Sequence, residues 1–393
     1  MINILVTGGA GFIGANFVKY MLRRYNDVSL VVLDALTYAG NIKTISNDIE
    51  SGRVEFVKGD ICDAKIVNDI FEKRDIDFVV HFAAESHVDR SIENPQLFLV
   101  TNILGTQNLL ECAKKSWSIG GGQYKKGKKF IHISTDEVYG SLKKDFDTPI
   151  ALKVGDAIKS VVKNREDIHI YGDSFFTEDT HIAPHSPYSA SKASSDMIVI
   201  AYHDTYGFPI NITRCSNNYG AYQFPEKLIP LVIKNIIEGK KIPVYGKGDN
   251  VRDWLFVEDH AKAIDTVMRK GVVGEVYNIG GFNEETNINM VRLMIDIIYK
   301  IMRESNKYHN LLKIDVDKIN YDLISFVTDR LGHDMRYAID PTKIATDLGW
   351  YPETPFSEGI EKTIRWYLDN QEWVSDVTSG EYQKYYDKMY NGR

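Results

Sequence analysis

The feature that most constrains the fold is the turn Thr7-Gly8-Gly9-Ala10-Gly11-Phe12-Ile13-Gly14, set between an apolar run at 2–6 and a helical pattern at 15–22. A short apolar run bounded by glycine reads as a buried strand. The glycines satisfy both G-x-G-x-x-G from Gly9 and the wider G-x-x-G-x-x-G from Gly8. Glycine lets such a turn close tightly, admits backbone N–H groups against a diphosphate, and lets helix and strand pack closely. The diphosphate then rests at the positive end of the helix.

The same strand-then-helix rhythm continues through the first half. The run 29–33 ends in Asp34, about twenty residues past the glycines, where an acid accepts from ribose hydroxyls and repels a 2′-phosphate. NAD is therefore expected rather than NADP. The strand-like run 54–57 leads to Gly59-Asp60, whose carboxylate is placed to meet the adenine amino group. Residues 77–84 end in Ala83-Ala84, small enough for close cofactor approach, and Lys129-Phe130-Ile131-His132-Ile133 reads as a further buried strand. Thr101, on a helical stretch at 95–117, is placed to face the nicotinamide. The expected fold is α/β, a Rossmann-type doubly wound parallel sheet with a smaller carboxyl-terminal α/β lobe. A chain of 393 residues exceeds one ordinary core. Residues 1–215 are assigned to the NAD-binding domain, with 251–270 crossing back to it, and 216–393 mainly to a substrate-binding domain.

Composition excludes several classes. A net charge of −7 argues against a nucleic-acid binder. Cys62, Cys112 and Cys215 show no metal-ligand spacing and fit a reducing compartment, so no metal site is expected. No apolar run is long enough for a membrane span, and no leader is apparent. A cytoplasmic protein is expected.

Chemistry concentrates in two runs, Ser134-Thr135-Asp136-Glu137-Val138-Tyr139-Gly140 and Tyr188-Ser189-Ala190-Ser191-Lys192. Tyr188 and Lys192, at i and i+4 behind Pro187, share one helical face. An ammonium one turn away is expected to lower the phenol's pKa and make it a base. Taken alone, the pentapeptide also fits a half-buried aromatic beside a surface lysine, and Asp136-Glu137 fits a solvated acidic turn. His87 is read as a structural hydrogen-bonding residue.

With these residues in hand, the chain resembles the extended short-chain dehydrogenases/reductases and, among them, the dTDP-glucose 4,6-dehydratase family. Besides the glycine turn and the two runs above, the resemblance is carried by residues 34–41 (DALTYAGN), 83–91 (AAESHVDRS), 188–196 (YSASKASSD), 214–220 (RCSNNYG) and 224–230 (FPEKLIP). It implies NAD-dependent loss of water from a nucleotide-linked glucose to give a 4-keto-6-deoxy sugar. Tyr188 takes the C4 hydroxyl proton as hydride passes to NAD, Glu137 takes the C5 proton, Asp136 protonates the departing C6 hydroxyl, and hydride returns to C6. Thr135 hydrogen-bonds the C4 oxygen, and Lys192 also reaches the nicotinamide ribose. The residues themselves leave the acid and base roles of Asp136 and Glu137 exchangeable.

The resemblance implies a cofactor site of Gly8, Gly11, Phe12, Ile13, Gly14, Asp34, Leu36, Thr37, Asp60, Ile61, Phe82, Ala83, Ala84, Ser86, Thr101, Tyr188, Lys192 and Asn218. It implies a nucleotide-sugar pocket of Ser86, Thr135, Asn217, Lys227, Leu228, Pro243, Tyr245, Asn287, His333 and Tyr337. Arg252 and Arg330 join this pocket as candidates to clamp the diphosphate through paired donors. The family also implies a homodimer, with helices at 95–117 and 188–206 as contact surfaces. The chain departs from the family in a longer 141–185 segment, in Ala221 and Gln223, and in a polar stretch at 299–321, all read as peripheral. The tail 382–393 is expected to drape over the surface or fray. A nucleotide-sugar 4-epimerase shares NAD, Tyr188 and Lys192 but has no use for Asp136-Glu137. A non-catalytic NAD-binding regulator is expected to have lost Tyr188 or Lys192.

Overall fold

The computed structural model describes residues 1–153, 167–329 and 332–378. Its centre is a seven-stranded parallel sheet of β1 (Ile2–Thr7), β2 (Val28–Asp34), β3 (Val54–Lys58), β4 (Phe78–His81), β5 (Lys129–Thr135), β6 (Ile210–Cys215) and β7 (Val276–Ile279), in the spatial order β7-β6-β5-β4-β1-β2-β3. The order reverses at β1, so a crevice opens between β1 and β4 at their carboxyl ends, where such sheets bind ligands. Register makes those ends level: Thr7 pairs with both Leu33 and His81, and Thr135 pairs with Cys215.

All seven residues of β5 are buried, as expected of a strand covered on both faces. Phe130 packs on one face with Leu109, Trp117 and Ile212, while Ile131 and Ile133 pack on the other with Phe17, Ala261 and Ile264. Helix α1 (Phe12–Arg24) and the helix α2 (Pro187–Tyr206) flank the sheet, and α2 opens on a reciprocal cap in which Ser186 and Ser189 exchange hydrogen bonds. That cap fixes where Tyr188 emerges, one residue into the helix. Residues 95–117 form one continuous helical path, with a π turn at Leu99–Gly105.

Of the 251–270 segment expected to cross back, the helix reaches the main sheet and the strand before it does not. The strand Val251–Phe256 does not reach the main sheet; it pairs with Asn217–Tyr219 and Glu284–Thr286 in a separate three-stranded sheet. The helix after it, α3 (Val257–Lys270), packs under the main sheet through Ala261, Ile264 and Met268, and β7 then completes the edge. A second core unites the helices Leu228–Glu238, Asn287–Glu304 and Phe356–Asp369 through residues such as Ile233, Met294 and Ile364. Within the 299–321 stretch, Ile301, Met302, Tyr308 and Ile319 are buried in that core, so it is not peripheral.

The described parts of the 141–185 segment are not peripheral either. Ile150–Lys153 pairs with Asp167–Ile170. Arg336, 0% exposed, donates to both Glu284 carboxylate oxygens at 2.7 Å and to the carbonyls of Gly172 and Ser174. A fully buried ion pair must satisfy its remaining donors, and the segment supplies those acceptors. The expected course of 382–393 lies outside the described residues. Among the described residues, no helix is long and apolar enough to cross a membrane.

Candidate active site

The glycine turn is built as the sequence requires. Gly8 has φ +70°, and a Cβ there would lie 2.7 Å from the Ala83 nitrogen; one on Gly14 would lie 2.3 Å from the Gly8 oxygen. Helix α1 begins after Gly11 with no side-chain cap and no acid in its first turn, leaving its first N–H groups for an anion. Asp34 is buried at the end of β2 and accepts from the N–H of Ala10 at 2.9 Å and of Leu36 at 2.8 Å. These bonds fix the carboxylate against the turn, although burial raises its pKa.

A cleft of about 360 Å³ runs from this turn across the carboxyl ends of the strands. It is lined by Gly8, Gly11, Phe12, Ile13, Gly14, Asp34, Thr37, Asp60, Ile61, Phe82, Ala83, Ala84, Ser86, Thr101, Thr135, Asp136, Glu137, Tyr188, Lys192 and Asn218. The shape, the glycine cradle and the fixed acid fit a nicotinamide dinucleotide. Leu36 is the exception among the expected cofactor residues. It takes a left-handed backbone, φ +54°, as its N–H turns back to Asp34, and its side chain packs with the core beneath the sheet.

The candidate reacting groups meet at the end of β5. Thr135 hydrogen-bonds Tyr188 and, at 3.2 Å, Asp136 Oδ1. Asp136 is 2% exposed, and its Oδ2 has no hydrogen-bond partner among the described residues. Burial, then Glu137, then Asp253 hold its carboxyl well above the usual range, which favours the protonated acid. The expectation for Tyr188 is corrected. The ring is 8% exposed, and burial, reinforced by Glu137, Cys215 and Asp136, keeps the phenol well above its usual value. Lys192 is turned instead to the Ile133 carbonyl at 2.8 Å, and burial pushes its ammonium down to about 8. Desolvation of both groups outweighs an attraction inferred from helical spacing alone.

Beside the cleft lies a second cavity of about 200 Å³, sharing Ser86, Glu137, Asn217, Asn218 and Lys227 with it. Leu228, Pro243, Tyr245, Arg252, Asn287, His333 and Tyr337 complete the expected set there. Arg252 lies over the Tyr337 ring at 4.2 Å and donates to the carbonyls of Val251 and Asp334. Arg330 lies outside the described residues. His87 is buried with Nε2 3.7 Å from Glu226.

Sequence reasoning passed over Tyr38, Cys215, Ser216, Phe224 and Glu226, all of which line the cleft. Gln223, read as peripheral, is instead buried on that cleft, its amide donating to the Asn218 carbonyl at 3.0 Å. Tyr38, Phe224 and Glu226 stand inside runs that carried the resemblance, which was a usable signal. Cys215 and Ser216 stand inside such a run as well, at 214–220.

Comparison with known proteins agrees with this geometry. The profile of the GDP-mannose 4,6 dehydratase family matches residues 5–150 and 169–363. A dTDP-glucose 4,6-dehydratase of Salmonella typhimurium is 48% identical over 390 residues, 99% of each chain. The crystal structure of the Bacillus anthracis dTDP-glucose 4,6-dehydratase in complex with NAD superposes with a TM-score of 0.77 at 43% identity, covering 96% of this chain and 100% of that one. The Streptomyces venezuelae enzyme of the same name, with NAD bound, gives 0.78 at 40%, again over 96% and 100%. With the fold, the glycine cradle and the acid pair in agreement, the chain belongs to the GDP-mannose 4,6 dehydratase family and, within it, to the dTDP-glucose 4,6-dehydratases.

Proposed function

We infer that this protein dehydrates dTDP-glucose to dTDP-4-keto-6-deoxyglucose, a step in deoxysugar biosynthesis. One observation carries the reading: Asp136 is buried beside Glu137 with its carboxyl pushed towards the protonated form, at the strand end that also bears Thr135 against Tyr188. Two adjacent carboxyl groups with different environments divide acid from base. A 4-epimerase has no step that needs them, and a redox-inert regulator has no use for Tyr188 and Lys192.

Bound NAD supplies a reversible hydride acceptor and a positive charge at the nicotinamide. Tyr188, bonded to Thr135, takes the proton of the C4 hydroxyl, and a positive charge beside it opposes the burial that holds the phenol up. The C4 ketone acidifies C5–H. Glu137, the more accessible carboxylate, removes that proton, and Asp136 gives its own to the departing C6 hydroxyl. The burial of Asp136 supports reading it as the acid. Arg252 and Lys227 are the cations beside the second cavity suited to the diphosphate.

The protein is read as cytoplasmic, consistent with three free cysteines. Two copies are read as pairing through the exposed apolar side chains Leu97, Val100 and Leu104 and, on α2, Met197.

The test uses dTDP-glucose and UDP-glucose deuterated at C4, in ordinary water without added NAD. The reading expects deuterium at C6, a solvent hydrogen at C5 and preference for the dTDP sugar. Deuterium returning to C4 with inverted configuration would identify an epimerase and overturn it.

A further inference from the structure

Three segments far apart in sequence meet along one wall of the cofactor cleft. Residues 35–41 follow β2, residues 85–91 follow β4, and residues 223–227 belong to the second lobe. Tyr38 sits where they join. Its phenol is hydrogen-bonded to Ser86, the edge of its ring meets Phe224 at 5.7 Å between centroids, and the Arg90 guanidinium lies 3.9 Å from its ring centre. Arg90 also reaches Glu226, Nε to Oε2 at 3.4 Å, with His87 Nε2 3.7 Å from the other oxygen. Lys227 Nζ donates to the Ser86 carbonyl at 3.3 Å. The 35–41 segment is itself anchored on the glycine turn, since the Asn41 N–H donates to the Ala10 carbonyl at 3.1 Å.

Tyr38, Ser86, Phe224, Glu226 and Lys227 line the cleft, whereas Arg90 does not. Arg90 is thus a positioning residue, holding together side chains that face the cofactor. Glu226 is buried and the Arg90 side chain only 26% exposed, so this pair is screened less than one on the open surface, and the Tyr38 ring adds a cation–π contact to it. The wall joins the cofactor lobe to the substrate lobe along the cleft in which a dinucleotide would lie.

We propose that Arg90, clamped between Tyr38 and Glu226, is a latch that retains the dinucleotide throughout the catalytic cycle. The chemistry requires retention. Hydrogen taken from C4 is owed to C6 of the same sugar, so a cofactor that departs midway strands an oxidised intermediate and leaves a chain that cannot finish. The proposal rests on the NAD reading above.

The experiment compares the native protein with Arg90→Leu, Arg90→Lys and Phe224→Leu. Bound dinucleotide is measured after gel filtration, and its release rate is followed with an NAD-consuming scavenger. The native protein is expected to keep its dinucleotide. Arg90→Leu and Phe224→Leu are expected to release it about tenfold faster or more, with Arg90→Lys between, because lysine keeps the charge and loses the planar stack. Added NAD is expected to restore turnover of Arg90→Leu, with KM for the nucleotide sugar unchanged. Native release rates in the folded variants overturn the latch, including the case in which Arg90→Leu only lowers the melting temperature. Should Arg90→Leu fail to fold, Phe224→Leu, on a different segment, decides in the same way. A native protein that holds no nicotinamide dinucleotide overturns the cofactor reading and the latch with it.

Discussion

Replacing Asp136 by asparagine separates catalytic from structural acidity. The side chain is 2% exposed, accepts from Thr135 and has no partner on Oδ2. In the unfolded chain it ionises near 3.8, whereas burial, then Glu137, then Asp253 keep it protonated to much higher pH in the folded protein. Between those two values the folded state binds the extra proton. Its contribution to stability is therefore fully present below pH 3.8 and lost as pH rises through the folded value. The slope approaches about 1.4 kcal/mol per pH unit in that window. Asparagine does not ionise, so Asp136→Asn is expected to gain on the native protein as pH rises from 5 to 8. Turnover is expected to fall about 100- to 10,000-fold, the usual worth of a positioned general acid. Urea denaturation at the two pH values measures the first effect. Mass spectrometry of the sugar measures the second, through accumulation of a ketone that still carries its C6 hydroxyl. An ionised Asp136 held by its neighbours would give the reverse, with the variant destabilised by about 3–5 kcal/mol and the gap not growing with pH. That result would refute the assignment of the acid.

Lys192→Met tests the cost of the buried cation. Its displacement from 10.5 to about 8 corresponds to about 3 kcal/mol of disfavoured charge below pH 8, relieved as pH climbs from about 8 to 10.5. The variant is expected to be inactive yet more stable at pH 7, by up to about 3 kcal/mol in chemical denaturation, with the gain shrinking above pH 8. Glu284→Gln leaves the Arg336 guanidinium buried without its counter-ion; a loss of about 3–5 kcal/mol in stability is expected by denaturant titration.

What could be read from sequence was what neighbours along the chain determine. The glycine turn, Asp34 and the Asp136-Glu137 pair are local patterns, and the structure puts all of them on one cleft. The strand that completes the sheet edge was missed because Val276–Ile279 is only four residues long, too short for a period to register. Cys215 and Ser216 reach the cleft only because β6 lies beside β5 with Cys215 level with Thr135, and pairing between distant strands leaves no trace in a single chain. The Tyr188 environment failed for a different reason. Helical spacing places Lys192 nearby, but the direction of a pKa depends on burial, which is a property of the assembled core. Arg336 illustrates the same limit: its meaning comes from Glu284 and the 141–185 segment, neither of which is near it in sequence.

The late arrival of α3 and β7 bears on how the chain is born. A nascent polypeptide that has left the ribosome as far as Cys215 already holds every residue of the glycine turn and of the reacting pair. Yet Ile131 and Ile133 still lack Ala261 and Ile264 above them, and β6 is an open edge until Val276–Ile279 is synthesised. For the sixty-odd codons between, the half-made sheet presents a sticky apolar plane and an unpaired strand. Slower translation through residues 216–279 is expected to lower the yield of folded protein, read as the soluble fraction on expression.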